Sequence, residues 1–302
     1  MAEARQSGLV DGLVVSAHGR HYVVELADGT ALHCYPRGKR SDLACGDRVR
    51  VRRAAADQAV IESVAQRTSA LYRSDDFRQK VIAANVTQVL VVVAGRPPFS
   101  EELLVRCLVA AEQQRLKALV VLNKIDLEVE SAAASKRLRL YEQLGYPLLK
   151  LSAREDVSPL CPWLSGQTSV LVGQSGMGKS RIVKALVPDA EVRIGEISEA
   201  LGAGRHTTTS ARLYHLDRDS HLIDSPGMQT FGLQHLSLSE LADAFPELRP
   251  LRGACRFKDC RHVIEPGCAI RAAVEEGKIE PRRWQAYRAI AEELAEKRPD
   301  WA

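Results

Sequence analysis

Gly173-Gln174-Ser175-Gly176-Met177-Gly178-Lys179-Ser180 has the Gly-x4-Gly-Lys-Ser spacing of a loop that wraps a phosphate chain. Glycines at these points let backbone N–H groups approach phosphate oxygens that a Cβ would hold off. The Lys179 ammonium then reaches the β- and γ-phosphates, the Ser180 hydroxyl serves Mg²⁺, and the Arg181 N–H serves the α-phosphate. Upstream stands Asn123-Lys124-Ile125-Asp126. A carboxylate at Asp126 accepts from both the ring N–H and the exocyclic amine of guanine. Adenine lacks that donor pair and would leave a buried acceptor unpaired. Lys124 can lay its alkyl stem over the base, and Ser152-Ala153 suits a second loop around it. Together these residues point to binding and hydrolysis of GTP.

Two further segments complete the phosphate chemistry. Gly204-Arg205-His206-Thr207-Thr208-Thr209 follows the phosphate loop. A threonine hydroxyl there can ligate Mg²⁺ only while the γ-phosphate is present. Thr208 is the assigned ligand, with Thr207 and Thr209 open. Asp224-Ser225-Pro226-Gly227 has the Asp-x-x-Gly form, in which Asp224 holds Mg²⁺ through a water and the Gly227 N–H senses the γ-phosphate. The catalytic set is therefore Lys179, Thr208, Asp224 and Gly227. Ras-like enzymes carry a water-orienting Gln after this motif, but here the residue is Met228. Intrinsic hydrolysis is expected to be slow, or another group orients the water. His206 is one candidate; a solvent-exposed loop histidine is the other reading.

Cys255-x4-Cys260-x-His262-x5-Cys268 offers three thiolates and one imidazole. Such a set makes a closed tetrahedral zinc site without an open position for catalysis, which argues against a metal hydrolase. Arg249, Arg252, Arg256, Lys258 and Arg261 surround the loop, either as a nucleic-acid contact or as a solvated charged face. The remaining cysteines, Cys34, Cys45, Cys107 and Cys161, read as small buried or half-buried hydrophobes.

These motifs need elements to hold them. The 302 residues are 45% apolar and 26% charged, with a formal net charge of +4. That composition suits a globular chain and gives only weak support for nucleic acid. No apolar run approaches the roughly 18 residues of a membrane span, and the polar N-terminus lacks a signal-peptide core, so a cytoplasmic location is expected. Residues 1–66 read as five short strands (12–15, 21–26, 31–35, 48–52, 60–61), with Asp28-Gly29 as a hairpin turn. Arg48-Val49-Arg50-Val51-Arg52 alternates strictly, giving one buried and one basic face. A small OB-like barrel is expected. Residues 67–230 alternate strands (89–93, 118–122, 147–151, 168–172, 211–216, 221–223) with helices (101–114, 131–144, 179–186), implying a mainly parallel α/β sheet with functional loops at the strands' carboxyl ends. Residues 231–302 hold the metal loop and a last helix near 281–297, with Trp284, Tyr287, Ile290 and Leu294 near one face.

The base-reading motif precedes the phosphate loop, the reverse of ordinary GTPases, so the GTPase domain is expected to be circularly permuted. The barrel would then feed directly into the strand at Val89. The second switch, Asp224 to Gly227, would be the covalent lever of the C-terminal segment. With Asn85-Val86-Thr87-Gln88, the Gly-Arg-His-Thr-Thr-Thr run and the zinc spacing, the chain resembles the ribosome small-subunit-dependent GTPase family of bacteria (RsgA, YjeQ or YloQ) over nearly its whole length. The resemblance implies a P-loop GTPase with an N-terminal barrel and a mainly α zinc-binding domain. It implies GTP and GDP, Mg²⁺ and one structural Zn²⁺ as ligands. The implied partner is the small ribosomal subunit and its rRNA, contacted by the barrel (Arg37, Lys39, Arg40, Arg48, Arg50, Arg52) and by the zinc segment. Hydrolysis stimulated by the subunit would act late in its maturation. The alternative is a GTP-switched rRNA-binding module in which hydrolysis is incidental. A monomer without a membrane partner is the default. Met177 and Arg181 depart from the family's usual residues at their positions.

Overall fold

A computed structural model of the chain describes residues 8–38, 42–75, 78–188, 211–224 and 232–296. Strands β1 (Leu9–His18), β2 (His21–Leu26), β3 (Ala31–Pro36), β4 (Arg48–Arg53) and β5 (Gln58–Val64) run in the order β1-β2-β3-β5-β4. The ring closes where β4 returns to β1, from Leu9↔Arg52 to Leu13↔Arg48. Alternation decides the inside: Val49 and Val51 join Val14, Tyr22, Leu32 and Ile61 in the barrel core, while Arg48 and Arg50 face out. The turn at Asp28-Gly29 forms as expected. Gly29 takes φ 82°, and Asp28 Oδ1 accepts from the Thr30 N–H at 2.9 Å.

The barrel does not feed directly into the next sheet. A hairpin of β6 (Ala70–Asp75) and β7 (Arg78–Ala84) stands between them, in a stretch without a turn glycine or a clear period. Then come β8 (Gln88–Ala94), β9 (Lys117–Asn123), β10 (Leu148–Lys150), β11 (Thr168–Val172), β12 (Ala211–His215) and β13 (His221–Asp224). Their order is β10-β9-β8-β11-β13-β12, parallel except for the β12 edge, which runs antiparallel to β13. Every residue of β8 is buried, which explains its unbroken apolar run.

The helices are α1 (Glu101–Gln113), α2 (Glu128–Gln143), the single turn α3 (Cys161–Leu164), α4 (Lys179–Leu186), α5 (Leu238–Asp243), α6 (Ala269–Glu275) and α7 (Pro281–Glu296). Ser100 caps α1 by accepting from the Leu103 N–H, and Ser237 with Glu240 forms a capping box on α5. None of the described helices is long and apolar enough to cross a membrane.

Two junctions bind the parts together. Barrel strand β1 pairs antiparallel with β12, so barrel and α/β sheet form one eleven-stranded sheet. The C-terminal helices pack on α1 and α2. Arg249 reaches Glu112 of α1 at 2.5 Å, Arg282 reaches Glu101 at 3.2 Å, and Arg106 of α1 pairs with Glu293 of α7. At the centre lies Arg283, 2% exposed, bonded to Glu247 at 2.6 Å and stacked between Phe245 and Tyr141. Tyr287, Ile290 and Leu294 of α7 are buried as expected, with Trp284 partly so. Of the scattered cysteines, Cys34, Cys45 and Cys107 are buried. Cys161 is exposed instead, because it opens the surface turn α3.

Candidate functional site

The phosphate loop leaves β11 between two walls that only glycine tolerates. A Cβ on Gly173 (φ 146°) would lie 2.3 Å from the Val92 carbonyl oxygen. A Cβ on Gly178 (φ 95°) would lie 2.3 Å from Asn123 Nδ2. Asn123 is the stitch of the site. Its Nδ2 donates to the Met177 carbonyl at 2.8 Å, and its Oδ1 accepts from the Ala153 N–H at 2.9 Å. One buried side chain thus joins the base-reading loop, the phosphate loop and the loop after β10. The asparagine of the Asn-Lys-x-Asp motif therefore holds the loops together.

Asp126 is oriented by Ser152, whose Oγ donates to Oδ1 at 2.8 Å, with the Arg154 guanidinium 3.9 Å from Oδ2. Lys124 takes φ 63° and donates through Nζ to the Arg96 carbonyl at 2.8 Å. Gln174 Oε1 accepts from the Ser100 N–H at 2.9 Å. The loop 95–100 therefore braces both motif loops. Sequence reading missed it, because its role is carried by backbone groups that no residue type announces. Arg154 was also missed; its only signal is its place after Ser152-Ala153.

These loops enclose a cavity of about 720 Å³, lined by Asn123, Lys124, Asp126, Leu127, Ala153 and Arg154 at one end. Gly173, Ser175, Gly176, Gly178, Lys179, Ser180, Arg181 and Asp224 line the other. The size suits a nucleotide. Met177 is fully buried and acts through its backbone; Gln174 and Ser152 act from behind the lining. His206, Thr207, Thr208, Thr209 and Gly227 lie outside the described residues, as do Lys39 and Arg40.

Lys179 Nζ donates to the Gly173 and Gln174 carbonyls at 2.6 and 3.0 Å. Burial holds its ammonium below the ordinary lysine range, against the opposing pull of Asp224. Burial likewise raises the Asp224 carboxyl, against the pull of Lys179. For both groups, loss of water outweighs mutual attraction. Two opposite charges thus face one cavity with each held away from water.

In the C-terminal part, Cys255, Cys260, His262 and Cys268 bring their ligand atoms within 4.8 Å of one another. His262 Nδ1 is 3.4 Å from Cys255 Sγ and 3.6 Å from Cys268 Sγ. Bond lengths of about 2.0–2.3 Å in a tetrahedral site imply N–S edges of about 3.5 Å, so the set can hold one metal ion. The loop is fastened to α7, where Trp284 Nε1 donates to the His262 carbonyl and Tyr287 Oη to the Arg261 carbonyl. Part of the surrounding charge is structural: Arg249 and Arg252 are engaged by Glu112 and Asp243.

Residues 64–234 match the model of the RsgA GTPase family. The chain belongs to that family. It is 56% identical to the small ribosomal subunit biogenesis GTPase RsgA of Nitrosospira multiformis over 283 residues, covering 94% of this chain and 90% of the relative. It is 51% identical to the protein of the same name from Burkholderia pseudomallei strain K96243, covering 97% and 95%. Its fold is similar to the crystal structure of YjeQ from Thermotoga maritima, with TM-score 0.72, 31% identity and coverage of 96% and 100%. It is also similar in fold to YloQ, described as a circularly permuted GTPase, with TM-score 0.68, 24% identity and coverage of 98% of each chain. The permuted α/β fold expected from motif order, with the N-terminal five-stranded barrel expected from the strand pattern of residues 1–66, is thus the fold of this RsgA-family chain.

Proposed function

We propose that this chain hydrolyses GTP to GDP and phosphate, is stimulated by the small ribosomal subunit, and acts late in that subunit's maturation. The observation that carries the reading is Asn123, which ties the guanine-reading loop to the phosphate loop across one cavity that also holds Lys179 and Asp224. Asp126 reads guanine. Gly173 to Arg181 wrap the phosphates with their N–H groups, and Lys179 leaves its two carbonyls for the β- and γ-phosphates. Ser180, Asp224 through a water, and Thr208 as the further ligand would hold Mg²⁺, which would supply positive charge to the phosphate oxygens. Gly227 senses the γ-phosphate, and His206 orients water. One structural Zn²⁺ sits on Cys255, Cys260, His262 and Cys268, so elemental analysis gives one zinc per chain and none in Cys260→Ser.

Residues 1–66 and 231–302 flank the GTPase domain of 67–230 and contact rRNA. The protein works as a monomer in the cytoplasm. The names of the relatives, small ribosomal subunit biogenesis GTPases, support the biological setting. The test is steady-state GTP turnover with and without purified small subunits, using ATP as the competing substrate.

A further inference from the structure

The outer face of β2 and β3 carries a feature the GTP site does not use. Tyr35 is 44% exposed, and its ring meets that of exposed His21 edge-to-face, with centroids 4.9 Å apart and planes at 69°. Alternation sets the pair: Leu32 and Cys34 point into the barrel, so Tyr35 points out. On its other side Tyr35 lies opposite half-buried Val60 of β5, which extends the apolar patch.

Cations rim this patch. Arg37 lies two residues along the same face with its side chain 67% exposed. The Arg20 guanidinium is held beside the β3 end by the Gly38 carbonyl at 2.7 Å. Glu62 accepts from Arg37 at 2.6 Å and from Arg52 at 3.2 Å, so one carboxylate is shared by two guanidiniums.

We propose that Tyr35 and His21 form a stacking platform for an unpaired nucleotide of RNA. The base lies on the Tyr35 ring, and the flanking phosphates lie toward Arg37 and Arg20. The proposal rests on the ribosomal reading above and names residues and a binding mode within it. A flat exposed ring with guanidiniums at its edge matches a base with its phosphates. Paired RNA hides its base faces, so the platform selects single strands. The patch adjoins the basic face of β4, where Arg52 lies opposite Val60 and Arg50 is engaged by Asp11 at 3.6 Å.

The test uses the full chain and fluorescence anisotropy with a labelled single-stranded RNA of about ten nucleotides, beside the same sequence folded as a duplex. The wild type is expected to prefer the single strand. Tyr35→Ala should weaken single-strand binding about tenfold with an unchanged salt slope, while Tyr35→Phe binds as wild type. Arg37→Ala should flatten the slope by about 0.7. Tyr35→Ala within twofold of wild type, an equal loss on duplex, or a failing Tyr35→Phe each overturn the platform. So does Tyr35→Ala that weakens subunit binding but not oligonucleotide binding, which would assign the face to protein. Subunit-stimulated turnover of the wild type reports separately on the underlying reading, because Tyr35 touches nothing in the GTP cavity.

Discussion

Ser16 of the barrel lies opposite Arg212, the second residue of the strand that leaves the Thr207-Thr208-Thr209 run. Next to this pair, Ala17 faces Ala211, and the Cys45 thiol donates to the Ala211 carbonyl at 3.0 Å. The barrel is thus hydrogen-bonded to the strand that follows the proposed first switch, while the C-terminal part follows Asp224 in the chain and packs on α1 and α2. This pairing gives the barrel an attachment of its own, beside the covalent lever expected from motif order.

The barrel junction makes a local prediction. Gly46 takes φ 89°, and a Cβ there would lie 2.1 Å from the Ala84 carbonyl oxygen. Gly46→Ala should push the barrel away from the end of β7 and so loosen the neighbouring β1–β12 pairing. Backbone amides of 12–17 and 211–215 should exchange about tenfold faster, while β8 and β11 keep their protection. Unchanged exchange at 211–215 would mean the pairing contributes little.

Asn123→Ala removes two buried hydrogen bonds that join three loops. Each unpaired group costs about 1–3 kcal/mol, so GTP and GDP affinity should fall at least about tenfold together. Asp126→Asn has a different signature. It replaces a double acceptor with one acceptor and one donor, so guanine binding falls and xanthine, with a 2-oxo acceptor, gains. Equilibrium binding of the two nucleotides distinguishes the roles; equal losses for both variants would contradict them.

Asp224 and Lys179 sit in the cavity against their own hydration. Asp224→Asn should therefore raise the melting temperature of the nucleotide-free protein by about 2–4 °C at neutral pH, corresponding to roughly 1 kcal/mol. It should also remove the Mg²⁺-dependent gain in GTP affinity. The sign with pH follows from linkage. The folded-state pKa of Asp224 is raised, so protonation relieves the cost, and the gap between variant and wild type should close as pH falls through that pKa toward the ordinary value of 3.8. Melting curves across an acid series check this; a gap that widens would contradict it.

Arg283 tests the C-terminal packing. Its partner Glu247 is nearly buried, so Arg283→Ala leaves an unpaired carboxylate between α5 and α7 and should cost about 3–5 kcal/mol. Arg283→Met with Glu247→Gln should recover much of that loss. Urea denaturation of both variants measures the difference, and a single variant as stable as the pair would rule out a buried-charge penalty.

The chain declares its chemistry locally and its assembly only in three dimensions. Asp28-Gly29 and the Arg-Val alternation of β4 made the barrel legible, because turn and strand periods are local properties. Gly173 to Ser180 and Asn123 to Asp126 were legible because phosphate and guanine each demand particular residue types. The pairing of Ser16 with Arg212 was not, since the two lie in strands far apart in the chain. The β6–β7 hairpin lacked a turn signal. Arg283 carries no sequence signal of burial, and only its placement between Phe245, Tyr141 and Glu247 makes it a core residue.

The most direct measurement of the central claim is the GTP turnover rate of the purified chain, alone and with small ribosomal subunits. Slow turnover alone, expected from Met228 in place of a water-orienting Gln, and a rise of at least about tenfold with subunits, expected from the proposed function, are the predicted results. A rate unmoved by subunits, or a preference for ATP over GTP, would contradict it.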